Sequence, residues 1–158
     1  MTSVQTQALM DLIDAANAAR RAALSAHVAS DAEAQLDSLF GTGARLAVYG
    51  SLAPGQQNHH IVAPLGGTWT EGVVEGDLVT YGWGAAIGFP ALYPRSGGPA
   101  VAVHVLTSRA LRRVWTDLDG FEGAEYRRVL VPVWSATAAS GRVLLTVANL
   151  YEAAGPSE

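Results

Sequence analysis

The chain changes character at Gly41-Thr42-Gly43, and that break limits what it can fold into. Residues 1–40 contain eleven alanines and neither glycine nor proline, whereas the remainder is cut repeatedly by turn residues. Alanine favours helix, while glycine and proline oppose it. Leu9, Leu12, Ile13, Ala16 and Ala23 recur at helical spacing. Ser3 is placed to cap a first helix, and Ser30 followed by Glu33 has the capping-box spacing that opens a second, ending near Leu39 and Phe40.

Beyond the break the chain reads as short β-type runs at 45–49, 72–81, 101–106, 126–134 and 142–151, each bounded by turn residues. One helical stretch interrupts them at 108–118, with Leu111, Trp115 and Leu118 along one face and Thr107 placed to cap its start. Five or six strands with one inserted helix predict an α+β fold, a small mixed β-barrel behind an N-terminal helical extension. We divide the chain into an extension at 1–43 and a barrel domain at 44–154; a chain of 158 residues has no room for a second catalytic domain.

What such a barrel could do is narrowed by missing residue types. Cysteine is absent, which excludes thiol nucleophiles, disulfides and thiolate metal sites. All ten basic residues are arginines, so neither a P-loop lysine nor Schiff-base chemistry is available. Those arginines are scattered apart from three pairs and the net charge is −4, so a nucleic-acid stripe or polybasic membrane patch is not expected. No run approaches the roughly 20 apolar residues of a membrane span, and a soluble, cytoplasmic protein is expected.

Two stretches could carry chemistry. In VYGSLAPG, residues 48–55, a strand runs into glycine and serine, where successive backbone N–H groups can converge as an anion-binding nest. In LDGFEGAEYRR, residues 118–128, Glu122 sits between a helix and a strand, and the neighbouring Phe121 can desolvate it and raise its pKa. Asp117, Asp119 and Glu125 are equally placed rivals on residue physics alone. Arg127 and Arg128 alternate to opposite faces of the following strand, so one of them can face a cavity. The adjacent His59 and His60 lack a third ligand at metal spacing, and the four tryptophans read as core or rim.

Together the segments VYGSLAPGQQNHH, PLGGTWTEGVVEGDLVTYG, GFPALYP and LDGFEG through YRR follow one another in an order that resembles the gamma-glutamylcyclotransferase-like family. Within it the resemblance is closest to the branch of plant avirulence-induced-gene and gamma-glutamylamine cyclotransferase relatives. It spans roughly residues 46–151. It implies a mixed barrel with a cavity at one end and a Tyr-Gly-Ser-Leu loop at the mouth, formed by Tyr49, Gly50, Ser51 and Leu52. The backbone amides of that loop would hold oxygens of a gamma-glutamyl group. The glutamate across the cavity falls at Glu122 as the acid/base, with Tyr126 and Tyr151 as secondary contacts.

The reaction so implied is cyclisation of a gamma-glutamyl amide to 5-oxoproline, with release of the attached amine or amino acid. The substrate's own α-amine is the nucleophile, which suits a chain without cysteine, lysine or an apparent Ser-His-Asp set. No cofactor and no metal are called for. The expected partner is a small gamma-glutamyl substrate, not a nucleic acid or membrane, and the chain is expected to act as monomer or homodimer. The competing expectations are a binding module that keeps the cavity without turnover, and an oligomerising scaffold built on the alanine-rich helices.

Overall fold

A computed structural model describes residues 2–22, 30–136 and 141–155. Helix α1 (Ser3–Ala22) and helix α2 (Asp31–Phe40) precede the strands. Ser30 caps α2 by accepting from the Glu33 N–H, and Gly41 ends it in the left-handed conformation, φ 66°. The first cap differs from expectation. Thr2, not Ser3, exchanges bonds with Gln5, because a capping side chain must lie one residue outside the helix it caps. Ala23 and His27 lie outside the described residues.

The strands are β1 (Arg45–Val48), β2 (Thr68–Val79), β3 (Ala91–Pro94), β4 (Ala100–Thr107), β5 (Tyr126–Trp134) and β6 (Leu144–Ala153). Their order is β3-β2-β4-β1-β6-β5, and a further pairing of β2 with β5 closes five of them into a barrel with β3 as an extra strand. Only β1 and β6 run parallel. The α+β barrel expected from the sequence is the observed fold.

The inserted helix is divided. Arg109–Arg113 forms a 3-10 turn capped by Ser108 rather than Thr107, and α4 (Trp115–Glu122) follows, carrying the helix four residues past its expected end. A short helix, α3 (Gly82–Ala85), precedes β3.

Barrel closure depends on one glycine. Val73 pairs with Trp134 at the seam, and a Cβ at the adjacent Gly72 would come within 2.6 Å of Val133 Cγ1. Only a residue without a side chain lets the strands approach there. Further along β5 the Asn17 amide of α1 continues the ladder, donating to the Leu130 carbonyl and accepting from its N–H, both at 2.8 Å. Helix α1 thus covers the open part of the seam, and Leu9, Ile13 and Ala16 pack with Leu36, Leu130 and Val147.

The barrel interior is mostly β-branched: Val74, Val101, Val103, Val105, Val129, Val131 and Val133, with Leu92 and Leu150. A second cluster, including Leu46, Val48, Leu106, Leu111, Leu118 and Tyr151, packs the opposite faces of β1, β4 and β6 against the inserted helical segment. Strand β6 is therefore buried on both faces, which is why its sequence lacks alternation. No helix among the described residues is long and apolar enough to cross a membrane.

Candidate active site

The end of β1 and the end of α4 meet at one open cavity. Seven sequence-selected residues line it: Tyr49, Gly50, Ser51, Leu52, Glu122, Tyr126 and Tyr151. Trp83, Gly84, Phe89 and Pro90 from the segment around α3, with Ala47 and Val48 of β1, complete the wall. Among the described residues, neither Asp117, Asp119 nor Glu125 lines it, so the structure separates Glu122 from its rivals.

Glu122 is the last residue of α4, and Gly123 with φ 81° turns the chain away toward β5. Its backbone carbonyl accepts from the Trp83 indole at 2.8 Å, which fastens the helix end to the cavity wall. Trp83 in turn meets Phe121 and Tyr126 edge-on, with ring centroids 5.5 and 5.9 Å apart. The Glu122 side chain is 8% exposed and no described residue donates to its carboxylate. Burial, and secondarily the negative charge of Asp119, push this carboxyl up to about 7. Such a group exchanges its proton readily at neutral pH.

Across the cavity the backbone N–H groups of Gly50, Ser51 and Leu52 meet no acceptor among the described residues. The loop that presents them is held by other atoms. Asn58 donates its N–H to the Ser51 carbonyl at 2.9 Å and its side-chain amide to the Ser51 hydroxyl at 3.0 Å. The His59 ring nitrogen lies 2.9 Å from the Leu52 carbonyl, and its ring packs 5.3 Å from Trp69. His59 therefore buttresses the loop. These N–H groups are left without an acceptor in a loop that lines the cavity, which is compatible with the expected nest.

Gly50 is not the residue that turns this loop. Its φ is not among the positive values; Gly55, at 82°, makes the turn instead. A Cβ on Gly50 would lie 3.8 Å from the Phe89 ring, so what this glycine supplies is open space in the cavity.

The tyrosines are tied into the framework. Tyr49 donates its hydroxyl to the Tyr151 carbonyl at 2.7 Å and accepts from the Leu92 N–H at 3.1 Å, and burial raises its phenol well above the ordinary range. Tyr126 accepts from the Gly84 N–H at 3.1 Å and donates to the Tyr81 carbonyl at 3.4 Å. A Cβ at Gly82 or Gly84 would stand 2.6 or 2.9 Å from the Tyr126 hydroxyl, so that contact requires glycine at both. Tyr151 donates to Asp119 at 2.6 Å.

Neither arginine of the β5 start lines it. Arg127 pairs with Glu152 at 2.8 Å; Arg128 pairs with Asp119 at 2.9 Å and lies 4.5 Å over the Trp115 ring. The cavity-lining Trp83, Phe89 and Pro90 escaped selection from the sequence. Trp83 falls in an irregular stretch without periodicity, and Phe89 and Pro90 lie in the GFPALYP segment that carries the resemblance but were not singled out as site residues.

Taken with the barrel, a cavity lined by both a buried carboxyl and the Tyr49–Leu52 loop is a candidate small-molecule site. The family model described as gamma-glutamyl cyclotransferase, AIG2-like, matches residues 46–157, and the chain belongs to that family. Membership supports a function of the gamma-glutamyl cyclotransferase type, and the match leaves α1 and α2 outside it. An AIG2-like protein from Mus musculus is similar in structure at 23% identity, covering 72% of this chain and 79% of the mouse chain with a TM-score of 0.52. An uncharacterised protein from Pyrococcus horikoshii matches at 22% identity over 72% of this chain and 80% of its own, TM-score 0.48. YkqA from Bacillus subtilis matches at 22% identity over 70% of this chain and 36% of its own, TM-score 0.49. At such identities the mouse protein supports the fold alone. No curated protein sequence matches significantly.

Proposed function

We propose that the protein cyclises gamma-glutamyl amides to 5-oxoproline, with Glu122 moving the proton and the Gly50–Leu52 amides holding substrate oxygens. One observation carries this reading: a buried carboxyl without a protein partner shares a cavity with free backbone donors.

In this reaction the α-amine attacks the γ-carbonyl carbon and the ring C–N bond forms. Glu122, as carboxylate, takes a proton from the α-nitrogen. The tetrahedral oxyanion collapses, the original amide C–N bond breaks, and Glu122 returns the proton to the departing nitrogen. The products are 5-oxoproline and the free amine, and the carboxylate is regenerated. Because the nucleophile belongs to the substrate, orienting it is worth several kcal/mol, given effective molarities of about 10⁵ M or more in well-aligned intramolecular reactions. Each N–H aimed at the oxyanion contributes about 3 kcal/mol. Tyr126 and Tyr151 shape the wall as secondary contacts.

The test is incubation with glutathione, gamma-glutamyl-alanine and gamma-glutamyl-lysine while following 5-oxoproline. Release that depends on Glu122 supports the reading. Tight binding of these compounds without 5-oxoproline would replace the enzyme with a binding module.

A further inference from the structure

Asp119 lies one helical turn before Glu122 on α4, so the two carboxyls share a face of the helix. Like charges at that spacing oppose folding, and a site that keeps them needs a compensating arrangement. The arrangement is visible. Asp119 Oδ1 accepts both the Tyr151 hydroxyl, at 2.6 Å, and Arg128 Nε, at 2.9 Å. Arg128 also donates to Asn149 Oδ1 at 3.0 Å, and Arg20 of α1 reaches the same oxygen at 2.8 Å. Asn149 is 1% exposed and its amide donates to the Thr42 carbonyl at 2.8 Å. A continuous polar chain therefore runs from α1 to the cavity wall.

We infer that Asp119 is a positioning residue for the site: it fixes the Tyr151 ring against the cavity and keeps a negative charge beside Glu122. This rests on the acid/base role proposed for Glu122. Because the Tyr151 proton is committed to Asp119, its hydroxyl is not a donor to whatever occupies the cavity. The retained charge raises the proton affinity of Glu122, and the Arg128 guanidinium limits how far. The groups facing Glu122 from other elements are Tyr49 after β1, Tyr126 on β5 and Tyr151 on β6, with Glu125, Arg128 and Glu152 behind them. The three phenols are all raised by burial and stay neutral near pH 7, which leaves Asp119 as the charge that acts on Glu122.

The experiment is a carbon-13 NMR titration of the Glu122 carboxyl in the full chain, without substrate, alongside the pH profile of 5-oxoproline release. Asp119→Asn keeps the acceptor for Tyr151 but removes the charge, and the Glu122 midpoint should fall by about half a unit or more. Arg128→Met should move it upward, and Asp119→Glu should return it toward the parent value. A merely structural role would shift the Asn and Met variants in the same direction or neither, and that result overturns the inference. If Arg128→Met does not fold, the Asn and Glu variants at 119 still decide. Expected midpoint shifts in a protein that releases no 5-oxoproline would uphold Asp119 and refute the proposed function. An active enzyme with unmoved midpoints would do the reverse.

Discussion

Among the described residues two glutamates are buried, and they are treated differently. Glu152, 3% exposed on β6, is held by Arg21 of α1 at 3.0 Å and Arg127 of β5 at 2.8 Å. Glu122, 8% exposed at the end of α4, receives no bond from any described residue. The first is an ion-pair junction that fastens a helix to the barrel. The second has no protein partner and opens into the cavity, the state expected of the proton-transfer group proposed here. Burial is common to both, and the partners distinguish structure from chemistry.

The largest effect should follow from removing the uncompensated carboxyl. Glu122→Gln should lower 5-oxoproline formation by about a thousandfold or more while leaving the fold intact, as read by product assay and circular dichroism. Stability supplies an independent reading with a defined sign. The folded pKa of about 7 exceeds the unfolded model value of 4.5, so the folded state binds more protons between them and stability falls as pH rises through that window. The parent should lose on the order of 3 kcal/mol across it, and the Gln variant should lack that component of the pH dependence. A flat parent profile would mean Glu122 is not desolvated.

The complementary substitution, Glu152→Gln, should reverse the pattern. It strands two half-exposed guanidiniums, and denaturant unfolding should show a loss of about 2 kcal/mol, with activity per folded molecule largely kept. Gly82→Ala is smaller. It forces a side chain to φ 76° and against the Tyr126 hydroxyl, so stability should fall by about 1 kcal/mol and KM should rise as Tyr126 moves. Smallest is Asp77→Asn, which breaks a solvent-exposed pair with Arg95 and should leave Tm and kcat/KM unchanged. A fall in activity there would link the outer strand β3 to the site.

Much of the fold was legible because its signals are local. Alanine density, the Ser30-Glu33 spacing and Gly41 mark α2, and β5 matches its expected limits because an apolar, β-branched run is bounded by turn residues. Strand β3 escaped prediction: four residues ending in proline carry too little periodicity. The division of 109–122 into a 3-10 turn and α4 also escaped, since both forms bury Leu111 and Leu118. Barrel closure at Gly72 and the Asn17 seam are contacts between distant segments, to which no local pattern is sensitive. The choice of Glu122 among four acids likewise needed the family resemblance, because burial arises only when α4 folds over the cavity. Neither Arg127 nor Arg128 faces the cavity as alternation allowed for one of them, because each closes an ion pair outside it.

The most direct measurement is a crystal structure with 5-oxoproline bound. The account predicts the ring inside the cavity, with at least one of its oxygens within hydrogen-bond distance of the Gly50, Ser51 or Leu52 N–H and the lactam nitrogen facing the Glu122 carboxyl. Binding elsewhere, or a ring whose nitrogen and oxygens ignore both elements, would contradict it.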